Sequence, residues 1–334
     1  MRIVVTGASG NLGHAILARL AADGHELIGV SRRATETEGV YADVAWREID
    51  LSRDRAVGAL VPVLDDVDAV VHLAWMLQPG HRERTMRRTN VDGARRVIEA
   101  ALAADVPHVV VLSSVGAYSP GPKRAAVDET WPTGGIHTSN YAKHKAAVER
   151  MLDRVEDQHP ELTITRVRPA LVFQRAAASE ITRLFLGAVP PRWVGRLRLP
   201  IVPLPPRLWL QAIHADDVAD AVARIVDQSA GGAFNLAAEP ALAPRGVARI
   251  LGGRWLPVPA SWLRALVSLS WHLRLQPTEP GWLDLALEVP TMSTARAREE
   301  LGWAPTVDAR DAIREVLDGM ADEAGDDASP SLRR

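Results

Sequence analysis

The apolar positions of this chain change their period along its length, and the changes mark out elements. Arg2–Thr6, Glu26–Val30, Asp68–Leu73 and His108–Leu112 are short runs rich in valine and isoleucine. Runs of this kind read as strands buried on both faces. Between them, Leu12–Ala22 and Val91–Ala104 carry apolar residues at helical spacing. In the second, Val91, Ala94, Val97, Ile98 and Ala101 share one stripe. A long helix is predicted from about Asn140 to Glu156, and a further strand at Leu162–Val167. This alternation predicts an α/β fold: a doubly wound parallel sheet with helices on both faces.

The second half reads differently. From Arg175 to Arg207 arginines and prolines interleave with apolar residues, and seven of the ten tryptophans lie beyond position 190. Gln211–His214 then predicts a strand, Asp216–Asp227 a helix capped by an aspartate, and Ala233–Leu236 another strand. The expected organisation is a cofactor domain at 1–172, with 209–237 rejoining its sheet. A smaller C-terminal substrate lobe takes 173–208 and 238–318, and 319–334 is a flexible tail.

Composition narrows the function. The 334 residues are 47% hydrophobic and 24% charged, with net charge -2 and no cysteine. That is ample for one large or two modest domains. It excludes disulfides, thiolate metal sites and cysteine nucleophiles. Without a basic surplus no nucleic-acid partner is expected. The N-terminal apolar run reaches Thr6-Gly7 too soon for a signal peptide. Trp262 to Leu275, the most apolar later stretch, is interrupted by Arg264, His272 and Arg274 and is too short to span a bilayer. The expectation is a cytoplasmic protein with no membrane partner. The apolar residues of that stretch could line a pocket or a homodimer face, but core packing is the simpler reading. The histidines show no metal-ligand spacing, so no metal is expected and they read as surface or strand-end residues.

Three groups of residues carry chemistry. Gly7, Ser9, Gly10, Asn11, Leu12 and Gly13 lie between the first strand and the first helix. Glycine there permits a turn at positive φ and lets a phosphate approach the backbone, and the helix N-terminus favours an anion. The alternative is a tight structural turn. The second strand ends in Ser31-Arg32-Arg33. A hydroxyl and two guanidiniums suit a ribose 2′-phosphate, favouring NADP over NAD, unless they are simply solvated loop residues.

Tyr141 and Lys145 stand four apart on the long helix, in a chain with only three tyrosines and three lysines. A cation one turn away should lower the pKa of the phenol and let it exchange a proton with a substrate oxygen. The alternative is an incidental pair on an exposed helix face. Ser114 follows a strand end, where it could donate to a carbonyl gaining negative charge or satisfy a backbone group.

With Asp50-Leu51, His72-Leu73-Ala74, Asn90-Val91-x-Gly93, Arg168-Pro169-x-x-Val172, His214-x-Asp216-Asp217 and Leu301-Gly302-Trp303-x-Pro305, these motifs resemble the extended short-chain dehydrogenase/reductases, the NAD-dependent epimerase/dehydratase family. The resemblance reaches about Pro305 and implies a Rossmann fold. It implies Tyr141 as acid/base, Lys145 also on the nicotinamide ribose, and Ser114 on the substrate oxygen. It further implies Asp50 and Leu51 beside adenine, Leu73 and Ala74 at the phosphate–ribose region, and Pro169 and Val172 at the carboxamide. Val115-Gly116 stands where the family's sugar-nucleotide 4,6-dehydratases carry an Asp-Glu pair, which disfavours dehydration. Phe173-Gln174 replaces the family's common Tyr-Gly.

The leading expectation is NADP-dependent reduction of a small-molecule ketone or aldehyde, or the reverse oxidation. A nucleotide-sugar epimerase using bound NAD(P) is the alternative, with Arg192, Arg196, Arg198 and Arg207 as candidate diphosphate ligands. A non-catalytic NADP sensor is the third.

Overall fold

In a computed structural model, the structure describes residues 1–33, 38–77, 83–178, 181–182, 199–322 and 324. The valine-rich runs become β1 (Arg2–Thr6), β2 (Glu26–Ser31), β3 (Ala45–Glu48), β4 (Ala69–His72) and β5 (His108–Leu112). β6 (Ala126–Val127) lies apart, and β7 (Thr163–Pro169) and β8 (Leu171–Phe173) follow. Later come β9 (Ile201–Leu204), β10 (Leu210–His214), β11 (Gly232–Leu236), β12 (Ala238–Leu242), β13 (Arg254–Pro257) and β14 (Thr291–Met292). Seven strands form one sheet in the order β11-β7-β5-β4-β1-β2-β3, and every neighbouring pair is parallel. This is the expected doubly wound α/β sheet.

Both faces of the sheet are covered. Side chains alternate along β1, so Ile3 and Val5 face one layer and Val4 the other. The first layer contains α1 (Asn11–Ala22), whose Ile16, Leu17 and Leu20 are fully buried. Burial of each contributes about 1.5–3 kcal/mol. The opposite layer holds α2 (Ala56–Leu60), α4 (Gly93–Ala103) and α5 (Asn140–Gln158). Ahead of α4, α3 (Glu83–Arg87) runs into a π-helical turn at Arg88–Asp92. α6 (Ala215–Gln228) shares the α1 layer. The remaining helices are α7 (Pro244–Ile250), α8 (Ala260–His272), α9 (Pro280–Glu288), α10 (Ala295–Leu301), whose Ala297 and Leu301 join the α1 layer, and α11 (Ala309–Ala321).

Parts of the expected organisation differ. Within 209–237, only β11 adds to the large sheet. β10 pairs instead with β8 and β12 in a three-stranded sheet, because the chain leaves the large sheet after Pro169, where β7 ends, and β8 offers β10 a parallel edge. The tail does not begin at 319: α11 continues to Ala321 with Gly319 and Met320 buried, since Met320 packs on Ala178. Residues 325–334 lie outside the described residues. The run from Trp262 to Leu275 is not core. α8 has no buried residue, and Trp262, Leu266, Leu269, Leu273 and Leu275 are 58–75% exposed.

Candidate active site

Thr6 is level with Val30 on one side and His72 on the other, so the turns after β1, β2 and β4 share one edge of the sheet. The strand order reverses between β1 and β4, which opens a crevice there. Gly7 has φ +74°, and a Cβ on it would lie 2.6 Å from the Ala74 backbone. Gly13 packs against the carbonyl of Ala8 just as tightly. Gly10 differs, because a Cβ there would meet only the Gly7 carbonyl, at 3.3 Å. Gly10 is also the N-cap of α1 and supplies no side-chain cap. The first-turn N–H groups of a helix have no acceptor within it. An open approach to an uncapped helix start suits a pyrophosphate. Ser9, Asn11 and Leu12 are half-buried around it, and Gln174 ties this turn to β8 by donating to the Asn11 carbonyl at 2.9 Å.

The other predicted cofactor residues surround the same edge. The Ser31 hydroxyl donates to the Arg33 carbonyl, and Arg32 and Arg33 are exposed with no carboxylate partner among the described residues. The Asp50 carboxylate accepts from Ser52 and Arg53. Partial burial would raise it, but these bonds prevail and hold it below the usual range. Leu51 is 4% exposed and packs on Gly93, the glycine of the Asn-Val-x-Gly motif. Leu73 donates its N–H to the Thr6 carbonyl at 2.9 Å. Pro169 ends β7 beside Leu236, and Val172 pairs with Ile213.

Ser114, Tyr141 and Lys145 come together at the C-terminal end of β5. Ser114 accepts from the Gly116 N–H at 3.0 Å, and its hydroxyl hydrogen-bonds the Tyr141 phenol. A Cβ on Gly116 would lie 2.7 Å from Cε1 of Tyr141, so only glycine leaves room for the ring. Lys145 Nζ donates to the Leu112 carbonyl at 2.7 Å and lies 3.5 Å from the Trp75 ring centroid but 5.9 Å from that of Tyr141. The expected lowering of the phenol is therefore not found. Burial pushes Tyr141 up to about 12, against the Ser114 hydrogen bond. Burial likewise pushes Lys145 down to about 7, opposed by Glu149.

Glu149, one turn beyond Lys145, anchors this helix to the sheet. It is 1% exposed and accepts from both Nε and Nη2 of Arg168, at 2.9 and 2.8 Å, and from Ser113 at 2.5 Å. Arg166 adds an ion pair at 3.2 Å. Burial would raise the carboxyl, but Arg168 and its neighbours prevail and hold it low. The Arg168-Pro169 motif thus fixes α5, and with it Tyr141 and Lys145.

A narrow cleft opens over Tyr141. Trp75, Trp271, Trp282, Met76, His144 and Glu279 are among its walls, and no lysine or arginine lines it among the described residues. Gly281 explains how Trp282 arrives. A Cβ there would run into the Thr138 carbonyl and come within 2.9 Å of Ser139 Cα, so glycine lets the start of α9 sit against the start of α5. Glu279 completes the join by accepting from the N–H and Nδ2 of Asn140, at 3.3 and 3.2 Å. Asn90 holds another wall by bonding both the N–H and carbonyl of Met76. Sequence reasoning missed Trp75, Trp282 and Glu279. Its one pertinent signal was the concentration of tryptophan in the second half. His144, read there as a surface or strand-end residue, is 5% exposed in this cleft because α5 turns it inward.

Other singled-out residues have structural roles. The N-cap of α6 is His214, which accepts from the Asp216 N–H at 3.2 Å; the expected aspartate cap is replaced. Asp217 is buried and binds Thr306 and Val307, while Trp303 donates to its carbonyl at 2.9 Å. The His-x-Asp-Asp and Leu-Gly-Trp-x-Pro motifs therefore grip each other. Arg207 bonds the carbonyls of Leu287 and Gly121, and Arg192, Arg196 and Arg198 lie outside the described residues. Asp23, His25 and Asp227 cluster at the opposite end of the sheet, where Arg19 pairs with Asp23 and His25 with Asp227. Among the described residues no helix is long and apolar enough to cross a membrane.

Residues 3–237 match the model of the NAD dependent epimerase/dehydratase family. An uncharacterized protein of Mycobacterium tuberculosis is 26% identical over 318 residues, which are 94% of this chain. The chain spans 29% of that relative's length. The 3-diazoavenalumate denitrifying reductase of a Streptomyces species is 28% identical over 328 residues, covering 92% of this chain and 96% of that one. Among solved structures, UDP-glucose 4-epimerase from Thermus thermophilus in complex with NAD gives a TM-score of 0.70 at 22% identity, covering 96% of this chain and 99% of that one. A dTDP-glucose 4,6-dehydratase from Streptomyces venezuelae, with NAD and TYD bound, gives 0.70 at 18%, covering 96% and 97%. These two likenesses establish the fold alone. The family match takes in the glycine turn and the Ser/Tyr/Lys set over more than two thirds of the sequence, and the chain belongs to the NAD dependent epimerase/dehydratase family.

Proposed function

We propose that this protein is an NADPH-dependent reductase of ketones or aldehydes. The observation that carries this reading is the buried Tyr141 phenol, set beside Ser114 at the C-terminal end of β5 under a cleft that no lysine or arginine lines among the described residues. Ser114 spends a lone pair on the Gly116 N–H and hydrogen-bonds the phenol. The Tyr141 proton is then free to be given to a carbonyl oxygen. A protonated phenol is an acid, as carbonyl reduction requires; initial oxidation of a sugar alcohol would need it as a base.

Gly7, Gly10 and the start of α1 would hold the pyrophosphate, Arg32 and Arg33 the 2′-phosphate, and Lys145 the nicotinamide ribose. Bound NADPH supplies a hydride. Ser114 orients the phenol, Tyr141 protonates the oxygen, and Trp75 and Trp282 shield both from water. Val115 and Gly116 pack against Tyr141 and offer no second acid/base for dehydration.

The test is NADPH oxidation by the purified chain across ketones and aldehydes. Tyr141→Phe should lower kcat by roughly 10²–10⁴-fold, the usual value of a positioned acid, with little change in cofactor affinity. Arg32→Ser with Arg33→Ser should weaken NADPH binding about tenfold or more and leave NADH within about twofold. Unchanged turnover in Tyr141→Phe would remove the mechanism. Cofactor that co-purifies, with activity on a nucleotide sugar and none added, would replace it with epimerisation.

A further inference from the structure

The walls over Tyr141 restrict the molecules the cleft admits. Trp75 stands edge-on to the Tyr141 ring at 5.9 Å, and Trp282 lies tilted 31° to it at 5.0 Å. Trp271 lines the same space. The described walls hold no cation to balance a phosphate, and their carboxylate, Glu279, would repel one. Their amides are already engaged: Asn90 with Met76, and Asn140 with Glu279. A polyhydroxylated sugar would meet indoles over much of its surface, with Glu279 and the unpartnered Trp75 Nε1 among the few groups left to bond its hydroxyls. A flat ring can pack on indoles, and aromatic pairs favour centroid spacings of roughly 4.5–7 Å.

We propose that this cleft binds a flat, uncharged aromatic ring, so that the substrate is an aryl aldehyde or ketone with its carbonyl at the Tyr141 phenol. This rests on the reductase reading above. Hydride adds to the carbonyl carbon and the π electron pair moves to oxygen, which takes the Tyr141 proton. The products are the aryl alcohol and oxidised nicotinamide, and the phenolate regains its proton from water.

The experiment compares rings of the same carbon skeleton, flat and puckered. Binding of benzyl alcohol and cyclohexylmethanol to the full chain is measured by calorimetry, and reduction of benzaldehyde and cyclohexanecarbaldehyde with NADPH and NADH. The aromatic member should be favoured about tenfold in affinity and in kcat/KM. Trp282→Leu should cut that preference to about twofold, and Trp282→Phe should keep most of it, which separates ring recognition from misfolding. Equal binding and equal kcat/KM for the two rings would overturn the aromatic assignment and leave the reductase reading standing. Preferential binding of benzyl alcohol with neither aldehyde reduced would sustain the ring site and overturn the reductase reading. Tighter binding of UDP-glucose than of either alcohol would overturn both.

Discussion

Gly10 and Gly116 are both glycines beside the proposed site, for different reasons. At Gly116 a methyl would stand 2.7 Å from the Tyr141 ring, so the phenol itself must yield. At Gly10 the backbone is extended, with φ -84°, and the nearest atom is 3.3 Å away, so the protein alone could accept a methyl. Gly10→Ala should change stability by less than about 1 kcal/mol yet weaken cofactor binding about tenfold or more, because the methyl takes the space a phosphate needs. Gly116→Ala should leave cofactor binding nearly unchanged and lower kcat about tenfold or more, with about 1–3 kcal/mol lost to overpacking. Urea unfolding and cofactor titration on both variants separate the two effects. Undiminished cofactor affinity in Gly10→Ala would mean that the crevice does not hold the pyrophosphate. The spacing of glycines in the sequence marks the turn after β1, but it does not distinguish a glycine packed on Ala74 from one that faces open space.

At the scale of elements, α5 carries Tyr141 and Lys145, the residues of the proposed chemistry, and β7 holds it in place. Its anchor is Glu149, which binds two arginines of β7 that are themselves 4% and 5% exposed. Removing one partner of a buried charge cluster strands the others. Glu149→Ala should therefore cost about 3–5 kcal/mol in urea denaturation, and Glu149→Gln less. Both variants should lower kcat more than they raise KM, since Lys145 sits one turn away. A loss below about 1 kcal/mol in Glu149→Ala would show that the arginines find other partners. The Tyr-x-x-x-Lys spacing was visible in the sequence because helical geometry fixes it locally. Glu149 was not singled out, because its partners lie on another element. α8 was misread for a related reason: periodicity marks an apolar stripe, but whether another element covers Trp262, Leu266 and Leu269 depends on packing.

For the whole molecule, buried basic groups set the response to pH. Burial holds His72 near 3, with Lys145 adding to the effect, and His108 near 4. Unfolded histidine titrates near 6.5, so below that pH the unfolded chain binds protons the fold refuses, and stability falls toward pH 4. Burial of Lys145 and Lys123 to about 7 acts in the same sense, so stability gains further from about pH 7 to about 10. Above about 10 unfolded tyrosines ionise while Tyr118 and Tyr141 stay near 12, and the gain reverses. The urea midpoint of the cofactor-free chain should accordingly climb from pH 4 to about pH 10 and then decline. A flat profile would show that these groups are solvated. The sequence by itself determined the alternating architecture, the glycine turn and the Ser114, Tyr141 and Lys145 set, because strand period, helix period and turn chemistry are properties of neighbours in the chain. Tertiary structure alone decided that Lys145 faces Trp75 and the Leu112 carbonyl, and that β10 leaves the large sheet. It also brought Trp75, Trp271 and Trp282 from distant elements to one cleft, since burial and long-range contact are not local properties.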